Sequence, residues 1–591
     1  MDSTLNKIST QQITVVRLFL LAALFATTGV SATLELKFRS AFAGQPLVLN
    51  GGRYRTAAGE LASISRVSYL LSGFALERVE GGWLELTNQF AWLDAERGRD
   101  TVRLENLPKE DFRGLRFFVG LDESTNTNNP AQYAADHPLN PNLNALHWSW
   151  QGGYIFLAVE GMWQTNGDMT TGFSYHFARS PNRTRISLNG LINLASDTTA
   201  QIDFDLATLL NAPRPLSFAR DGDATHSRTN DPIAAKLAAN LRGAFRLRQI
   251  ESAISVQSRS VTVKPKYLPA KFTPYPLQMS AFFPIPDLPR DNPLITERVQ
   301  LGEKLFQETA LSKDSTIACA SCHKREAAFS DPRKYSIGVR NQVGTRNAMP
   351  LYNLAWKSSF FWDGRAPTLR AQALMPIQDH TEMDESLPNV CAKLTANTNY
   401  PPLFAAAFGS PEITPEKIGL AIESFGLTLT SFDSKFDRTL LGRDKMTEQE
   451  QRGFELFMTE YEPRTGNIGA DCFHCHGGPL FTDNQFHNNG LTPDADDLGR
   501  FKATQQEYDK GKFSTPSLRN VALTAPYMHD GRFKTLEEVI AHYDHGVHRG
   551  PTLDPNLAKH PPEGLQLSSE DKAALIAFLK TLTDERFVTG K

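Results

Sequence analysis

Two short strings in the second half of the chain constrain its structure more than any other feature. They span 319–323 and 472–476, with the sequences CASCH and CFHCH. A C-x-x-C-H string is typical of covalent c-type haem attachment, because the two thiols add to the porphyrin and the adjacent histidine becomes an axial ligand of the iron. A zinc site would need further Cys or His ligands at matching spacing, and neither string has them nearby. Two covalent haem groups are therefore predicted, held by Cys319, Cys322 and His323 and by Cys472, Cys475 and His476.

The N-terminus has the pattern of an export signal. Lys7 and Arg17 precede an apolar run over 18–25, and small residues follow at 30–32. This pattern predicts a signal peptide over 1–32, with an uncleaved anchor as the alternative. Bacteria attach haem covalently outside the inner membrane, so the mature chain is predicted to be periplasmic and not integral to the membrane. The net charge of −3 points to no nucleic-acid partner, and none is expected.

The 591 residues are expected to form several domains. Alternating and β-branched stretches such as 33–38 and 115–119, punctuated by Gly, Asn and Pro, predict a β-sandwich-like domain over 33–250. Prolines cluster within 251–293, which predicts an extended linker or wrapping arm. Helical periodicity follows the linker. The predicted fold class is therefore multidomain, with an N-terminal β-sandwich-like domain and two mainly α-helical cytochrome-c-like haem domains.

The helical part contains an internal duplication. The string GEKLF at 302–306 leads into the first haem string, and GFELF at 453–457 leads into the second. The string DGR at 363–365 recurs at 530–532, and RN at 346–347 pairs with RN at 519–520. One helical domain per haem, related by tandem duplication, is the simplest interpretation. The predicted domains are 294–440, with the first haem, and 441–591, with the second.

Further strings in the helical half point to a known family. They are FWDGRA at 361–366, QA at 372–373, PIQDHTEM at 376–383, TPSLRN at 515–520 and TAPYMHDG at 524–531. In this order they resemble the bacterial di-haem cytochrome c peroxidase/MauG family, and the resemblance covers roughly 285–591. It implies that the first haem reacts with peroxide and that the second stores or relays oxidising equivalents.

The resemblance also implies roles for individual residues. His323 and His476 match the proximal iron ligands. Gln372 and Glu382 match the distal pocket, where a carboxylate can move a proton between the two peroxide oxygens. Trp362 matches the tryptophan between the haems, where an indole can relay electron holes. The positions that match a calcium site, which takes oxygen ligands, are Asn347, Thr524 and Pro526.

Two positions separate the branches of this family. Its peroxidases place a histidine on the open face of the first haem, but 324–361 contains none. A vacant position on the first iron is therefore predicted, with His380 as the alternative ligand. Electron-accepting members have methionine where this chain has Tyr543, whereas the MauG-type branch has tyrosine, whose anionic oxygen favours higher iron oxidation states. Tyr543 is the predicted second ligand of the second haem, with His542 and His545 as competitors.

Strings in the β-rich part resemble a second family, the copper-binding MbnP proteins. They are HPL at 137–139, WSWQGGY at 148–154, EG at 160–161 and YH at 175–176. In that family a MauG-like partner, MbnH, converts a tryptophan of MbnP to kynurenine. Here enzyme and substrate share one chain, at high effective concentration. Since copper sites favour imidazole, the candidate copper ligands are His137, His147 and His176. The candidate oxidised residues are Trp148, Trp150 and Trp163, with Trp150 preferred.

The two resemblances together imply an enzyme. It would be a di-haem peroxidase-type oxidoreductase of the MauG class that uses hydrogen peroxide to form high-valent haem iron and oxidises a tryptophan of its own MbnP-like domain to kynurenine. One alternative is a cytochrome c peroxidase that takes electrons from a small c-type cytochrome. Another is a copper-binding or copper-delivery protein with an accessory haem half. Two haem c groups are expected, with calcium and copper as candidate ions, and Cys391 is given no role.

Overall fold

The chain divides into a strand-rich N-terminal part and a helical C-terminal part. The computed structural model describes residues 31–148, 152–164, 171–252, 264–462, 466–492 and 497–589. Strands dominate up to residue 252, and helices dominate from residue 296 onward, so the predicted fold class is confirmed. The predicted signal peptide up to residue 30 and Trp150 lie outside the described ranges. Within those ranges, none of the helices combines the length and apolar character that a bilayer crossing requires.

Two β-sheets form the N-terminal domain. Their strands are β1 Ala32–Phe42, β2 Gln45–Pro46, β3 Tyr54–Arg55, β4 Leu61–Arg78, β5 Trp83–Glu85, β6 Phe90–Asp94, β7 Thr101–Leu107, β8 Asp111–Val119, β9 Ile155–Gln164, β10 Thr171–Ala178, β11 Thr184–Asn193, β12 Thr198–Asp205, β13 Ala224–Thr225 and β14 Phe245–Ser252. The first sheet has the order β14-β12-β1-β2, with β7 also paired to β1. The second has the order β11-β8-β4-β9-β10-β13, and β3, β5 and β6 are also paired to β4.

The two sheets pack face to face, and strand β1 alternates buried apolar residues with more exposed ones. In β1, Leu34, Leu36 and Phe38 are buried, as a period of two requires for a strand with one face on the core. Phe38 packs edge-on against Tyr69 of β4 and Phe117 of β8, with ring centroids 6.5 and 5.8 Å apart. Helix α5 packs on β11, β12 and β14. The helices of this domain are α1 Glu123–Asn126, α2 Pro141–Asn144, α3 Leu206–Asn211, α4 Phe218–Asp221 and α5 Pro232–Ala244.

The C-terminal part is built from short helices and long irregular loops. The helices are α6 Thr296–Phe306, α7 Cys319–Cys322, α8 Leu369–Gln378, α9 Leu387–Ala396, α10 Tyr400–Phe408, α11 Pro415–Thr428, α12 Lys435–Leu440, α13 Glu448–Phe457, α14 Phe501–Thr504, α15 Leu536–Ala541, α16 Pro555–Ala558, α17 Ser569–Lys580 and α18 Glu585–Thr589. A π-helical turn, His542–Gly546, follows α15. Two small hairpins pair β15 Tyr461–Glu462 with β16 Asn467–Ile468 and β17 Phe486–His487 with β18 Phe513–Ser514.

The same helix pair occurs twice in this part. Helix α6 packs on α11, and α13 packs on α17. A Cβ atom at Gly302 would overlap the backbone oxygen of Ala421, and one at Gly453 would overlap that of Ala574. Each glycine therefore lets two helix backbones come into direct contact. The duplicated G-x-x-L-F strings occupy equivalent places in the fold.

The described part of the proline-rich segment packs on the first haem domain. Phe283 is buried, and the indole N–H of Trp356 donates to the Pro284 carbonyl at 2.7 Å. The Arg298 guanidinium donates to the carbonyls of Lys266 and Tyr267 at 2.7 and 2.8 Å. From residue 264 onward this segment is therefore a wrapping arm rather than a free linker.

Candidate haem sites and the contact between the domains

The first C-x-x-C-H string lies on one wall of a cavity of about 490 Å³. Cys319, Cys322 and His323 all line this cavity. The Nδ1 atom of His323 donates to the Phe329 carbonyl at 2.8 Å. Since a carbonyl only accepts, this bond places the ring proton on Nδ1 and leaves the Nε2 lone pair for a metal. The two thiols and this oriented imidazole fit a covalently attached haem.

The second string repeats this arrangement. Cys472–His474 form a single 3₁₀ turn. The Nδ1 atom of His476 donates to the Phe481 carbonyl at 3.3 Å, as His323 does in the first motif. A hydrogen bond of the same kind therefore orients each imidazole so that its Nε2 atom can bind iron. The second motif therefore fits a haem for the same reason as the first.

Tyr543 faces the second motif from the π-helical turn. The Asn489 amide donates to its hydroxyl oxygen at 3.2 Å. Burial raises the pKa of Tyr543 to about 12, although the hydrogen bond from Asn489 opposes the rise. Its two competitors are placed less favourably as ligands, because His542 donates through Nε2 to the Asn489 carbonyl at 3.0 Å and the His545 side chain is 59% exposed.

The predicted distal residues share the first cavity. Gln372 from α8, Glu382 and Trp362 all line it. Burial, together with the negative charge of Asp379, raises the pKa of Glu382 to about 7, against the opposing charge of Arg365. A carboxyl group that titrates near neutral pH can both accept and return a proton.

The alternative ligand for the first iron does not reach this cavity. The His380 side chain is 82% exposed and lies 3.8 Å from the carboxylate of Asp379. His380 therefore does not line the cavity, and the vacant position on the first iron stays a prediction.

The predicted calcium ligands belong to two segments that meet beside Trp362. The backbone N–H of Asn347 donates to the His529 carbonyl at 2.8 Å, and the Trp362 indole N–H donates to the Asn347 carbonyl at 2.9 Å. Thr524 and Pro526 are buried within the segment that leads to His529. The Asn347 side-chain nitrogen donates to the Arg333 carbonyl at 3.1 Å, so its oxygen is the atom available to a cation.

The structure does not gather the three candidate copper ligands into one group of possible metal ligands, although His147 and His176 line the same cavity. His137 accepts from the Leu139 N–H at 3.1 Å and stacks on Tyr133, with ring centroids 4.5 Å apart. His147 packs edge-on against Tyr154 at 4.6 Å. His176, in contrast, lies within ligand distance of His226 and His474. His137 stabilises a turn by accepting this hydrogen bond, whereas His176 projects from β10 toward the second haem domain.

Sequence analysis missed His226 and His474 for different reasons. His226 follows β13, whose parallel pairing with β10 sets Thr225 opposite Tyr175. That pairing joins segments about fifty residues apart, and no local pattern encodes it. His474 stands inside the second haem string, at one of the two positions between the cysteines whose side chain the motif does not specify.

The N-terminal domain docks on the second haem domain through a close contact. A Cβ atom at Gly172 in β10 would overlap the backbone oxygen of Pro555 in α16, so the two backbones touch. Beside this point Met162 packs with Leu553 and Ala558. A cavity of about 1190 Å³ also lies between the two parts of the chain.

Trp148 lies at this contact. Its ring is 5.3 Å from the His226 ring, and it lines the interdomain cavity together with His474. Trp163 lies against Phe218 within the N-terminal domain, with ring centroids 5.4 Å apart. Among the described candidates, Trp148 is therefore the one that adjoins the second haem motif.

Comparison with known proteins agrees with these features. The family model for di-haem cytochrome c peroxidase, CCP_MauG, matches 296–445, and the model for MbnP matches 31–227. The methylamine utilization protein MauG of Methylorubrum extorquens is 38% identical over 304 residues, covering 50% of this chain and 81% of the relative. The cytochrome c peroxidase Ccp of Escherichia coli is 35% identical over 312 residues, covering 51% of this chain and 61% of the relative.

A solved structure of a MauG-like protein associated with microbial copper homeostasis is 36% identical in sequence, with a TM-score of 0.49. The match covers 53% of this chain and 97% of the chain in that structure. The chain belongs to the di-haem cytochrome c peroxidase/MauG family. It is an oxidoreductase of the di-haem class, and its N-terminal part is an MbnP domain. Both predicted resemblances are thereby confirmed.

Proposed function

We propose that this enzyme uses hydrogen peroxide to oxidise a tryptophan of its own MbnP domain. The observation that carries the proposal is a continuous aromatic contact from Trp148 to the second haem motif. Trp148 lies 5.3 Å from His226, and His226 lies 5.2 Å from His474 and 5.8 Å from Phe473, measured between ring centroids. Phe473 and His474 stand between the two haem-attaching cysteines. Such close contacts suit electron transfer from the tryptophan to the second haem.

The first cavity supplies the proton chemistry. Bound haem provides the iron at which peroxide is reduced. Glu382 accepts the proton from one peroxide oxygen and returns it to the other as the O–O bond breaks, which a pKa of about 7 permits. Gln372 lines the same cavity and can donate a hydrogen bond that orients the oxidant. Trp362 lines this cavity and donates to the Asn347 carbonyl, and in this proposal it relays the electrons that the first site requires.

Tyr543 supports the MauG type of reaction over the electron-accepting type. A phenol oxygen favours oxidised iron, whereas a methionine ligand raises the potential and favours reduction. In this proposal the second haem draws an electron from the protein rather than from a soluble donor. Calcium at Asn347, Thr524 and Pro526 would hold together the segments that position Trp362.

Covalent fusion supports the choice of substrate. The MbnP domain is already docked on the second haem domain, so the substrate need not diffuse to the enzyme. The periplasm, where covalent haem is attached, is the proposed location. Trp148 replaces Trp150 as the proposed site because it is the described tryptophan at the contact, while Trp150 lies outside the described residues.

Mass spectrometry of the holoprotein tests this proposal. We expect peroxide to change the intact mass by the amount that kynurenine formation requires, and peptide mapping to place the change on Trp148. Trp148→Phe should abolish the change, whereas Trp163→Phe should leave it intact. A mass change that persists in Trp148→Phe and maps to Trp150 would reject Trp148 as the oxidised residue. The absence of any mass change in the N-terminal domain would reject tryptophan oxidation as the function.

A cytochrome c peroxidase activity is the second candidate, because the chain is also 35% identical to the E. coli peroxidase. Turnover of peroxide with a reduced small c-type cytochrome would support it. Efficient turnover together with an unmodified MbnP domain would favour this candidate over self-oxidation. A copper-delivery role for the MbnP domain is compatible with either activity.

A further inference from the structure

Four lysine and arginine side chains are among the described residues that line the first haem cavity, and three of them already have carboxylate partners. The four are Arg346, Lys357, Arg365 and Lys502. Arg346 pairs with Asp363 at 2.7 Å, and Arg365 pairs with the same carboxylate at 3.0 Å. Lys502 pairs with Asp497 at 2.8 Å. Lys357 therefore differs from the other cations of this cavity.

The Lys357 ammonium group has one hydrogen bond and no carboxylate partner within the described part of the chain. It donates to the Ser514 hydroxyl at 3.4 Å, which is a long bond. The charge of Asp483 acts on it from farther away, but that carboxylate is bonded to His487 at 2.8 Å. Burial lowers the pKa of Lys357 to about 8, and Asp483 opposes this fall. A buried cation of this kind is stabilised by a ligand that brings the missing negative charge.

A haem attached at the first motif brings that negative charge. A c-type haem carries two carboxylates, on the edge away from its thioether links. Cys319 and Cys322, which would form those links, come from α7. Lys357 instead lies where the cavity meets the β17–β18 hairpin, beside Ser514. The haem carboxylates therefore extend toward residues outside α7, and Lys357 is the lining cation that has no carboxylate of its own.

We propose that Lys357 binds a carboxylate of the first haem and fixes a positive charge between the two haem sites. Its partner Ser514 donates a backbone hydrogen bond to the Trp362 carbonyl at 2.8 Å. Two residues further along, Pro516 lines the first cavity, and its carbonyl is within hydrogen-bonding reach of the His476 ring. The ammonium group thus lies at the boundary between the two haem sites. The proposal depends on haem attachment at the first motif but not on tryptophan oxidation.

The bound charge should raise the reduction potential of the first haem. A cation beside a haem carboxylate favours the state of the iron that holds one more electron, because opposite charges attract more strongly in a buried site than in water. Lys357 is therefore a haem-binding residue that also adjusts how readily the first site accepts electrons. Removing its charge should lower this potential.

Redox titration of the holoprotein tests the role of the charge. Lys357→Met removes the charge but keeps a long side chain, whereas Lys357→Arg keeps the charge. Spectroelectrochemical titration gives the potentials, and electron paramagnetic resonance separates the two irons. We expect the potential of the first haem to fall in Lys357→Met and to stay close to that of the unmodified enzyme in Lys357→Arg. An unchanged potential in Lys357→Met, or an equal fall in both variants, would overturn the proposal.

Lys502→Met is the matched control, because it removes a second lysine that lines the same cavity. The Lys502 side chain is 52% exposed and is paired with Asp497. Solvent therefore screens its charge, and we expect a much smaller change in potential. A fall as large as that in Lys357→Met would show that only the net charge of the cavity matters, which contradicts a specific bond. A change confined to the second haem would also contradict the proposal.

Haem content is measured for every variant to confirm that both haems are attached. If Lys357→Met does not retain the first haem, resonance Raman spectra of the unmodified enzyme and of Lys357→Arg decide the question. The bending band of a haem carboxylate depends on its hydrogen-bond donors, so exchanging ammonium for guanidinium should shift this band. Identical bands would overturn the proposal. Since none of these measurements uses peroxide, their outcome is independent of the test for tryptophan oxidation.

Discussion

At the scale of single residues, the proposed chemistry depends on where two side chains hold their protons. Glu382 in the first cavity has a pKa raised to about 7, and Tyr543 at the second motif has one raised to about 12. In both cases burial is the main cause. The carboxyl group can therefore exchange a proton at neutral pH, whereas the phenol gives up its proton only to a strong cation such as ferric iron.

The pH dependence of the reaction with peroxide follows from Glu382. Below about pH 7 the carboxyl group is protonated and cannot accept the peroxide proton, so the rate should rise as the pH increases through 7 and then level off. Glu382→Gln should lower the rate by about 10²- to 10⁴-fold and remove this inflection. Stopped-flow measurement of the Soret change across this range checks both effects.

Asp379→Asn provides a directional control. Asp379 raises the pKa of Glu382, so removing its charge should move the inflection to lower pH while most of the rate is kept. An inflection that stays near pH 7 in Glu382→Gln would show that another group titrates.

Tyr543 should set the redox preference of the second haem. Tyr543→Met replaces an anionic oxygen with a thioether and should raise the reduction potential of this haem. We expect faster turnover with a reduced c-type cytochrome and less tryptophan oxidation. Spectroelectrochemical titration measures the potential, with Tyr267→Phe, which lines neither cavity, as a control. Equal potentials in Tyr543→Met and the unmodified enzyme would show that Tyr543 is not an iron ligand.

At the scale of elements, the duplicated helix pair explains the repeated glycines. Gly302 in α6 and Gly453 in α13 each occupy the crossing point with a partner helix, where a methyl group has no room. The string therefore recurs because both domains need the same close crossing. Sequence comparison within the chain detected the repeat, but the partner helices α11 and α17 became evident only in the structure.

Substitution at the crossing points should cost stability. Gly453→Ala and Gly302→Ala should each lower the free energy of unfolding by about 1–3 kcal/mol, as overpacking of a closed contact does. Gly243→Ala in α5 is the matched control, because its nearest neighbour, the Thr208 methyl group, lies 3.7 Å from the added Cβ atom. Denaturation of the holoprotein, followed by circular dichroism and the Soret band, gives the values. Equal stability of all three variants would contradict the close crossing.

At the scale of the whole molecule, docking of the MbnP domain decides which groups can react with each other. The contact places Trp148 against His226, and His226 against the loop that carries the second haem cysteines. Neither domain alone contains this path. Function is therefore expected to depend on a surface that makes no contact with peroxide.

Disrupting that contact should separate the reaction of the first haem with peroxide from the oxidation of Trp148. Gly172→Ala would force the Pro555 backbone away and open the interface. We expect normal reaction of the first haem with peroxide but strongly reduced modification of Trp148, measured by Soret kinetics and peptide mapping. Gly550→Ala, which has no neighbour within 4 Å of the added Cβ atom, is the control. Unchanged modification in Gly172→Ala would show that oxidation does not need this contact.

The amino-acid sequence alone determined the features that depend on local chemistry. The C-x-x-C-H spacing defined both haem motifs, alternation and helical periodicity defined the two fold types, and the family strings pointed to Glu382, Gln372 and Trp362. These signals are readable because the interacting groups lie within a few residues or within one element. The predicted domain boundaries and the calcium ligands remain predictions.

Only the tertiary structure decided which distant groups meet. It brought His176 together with His226 and His474 rather than with His137 and His147, and it placed Trp148 at the interface. The physical reason is that strand pairing between β10 and β13, and the docking of two domains, join residues separated by tens to hundreds of positions. Such contacts follow from the burial of whole surfaces rather than from any local pattern.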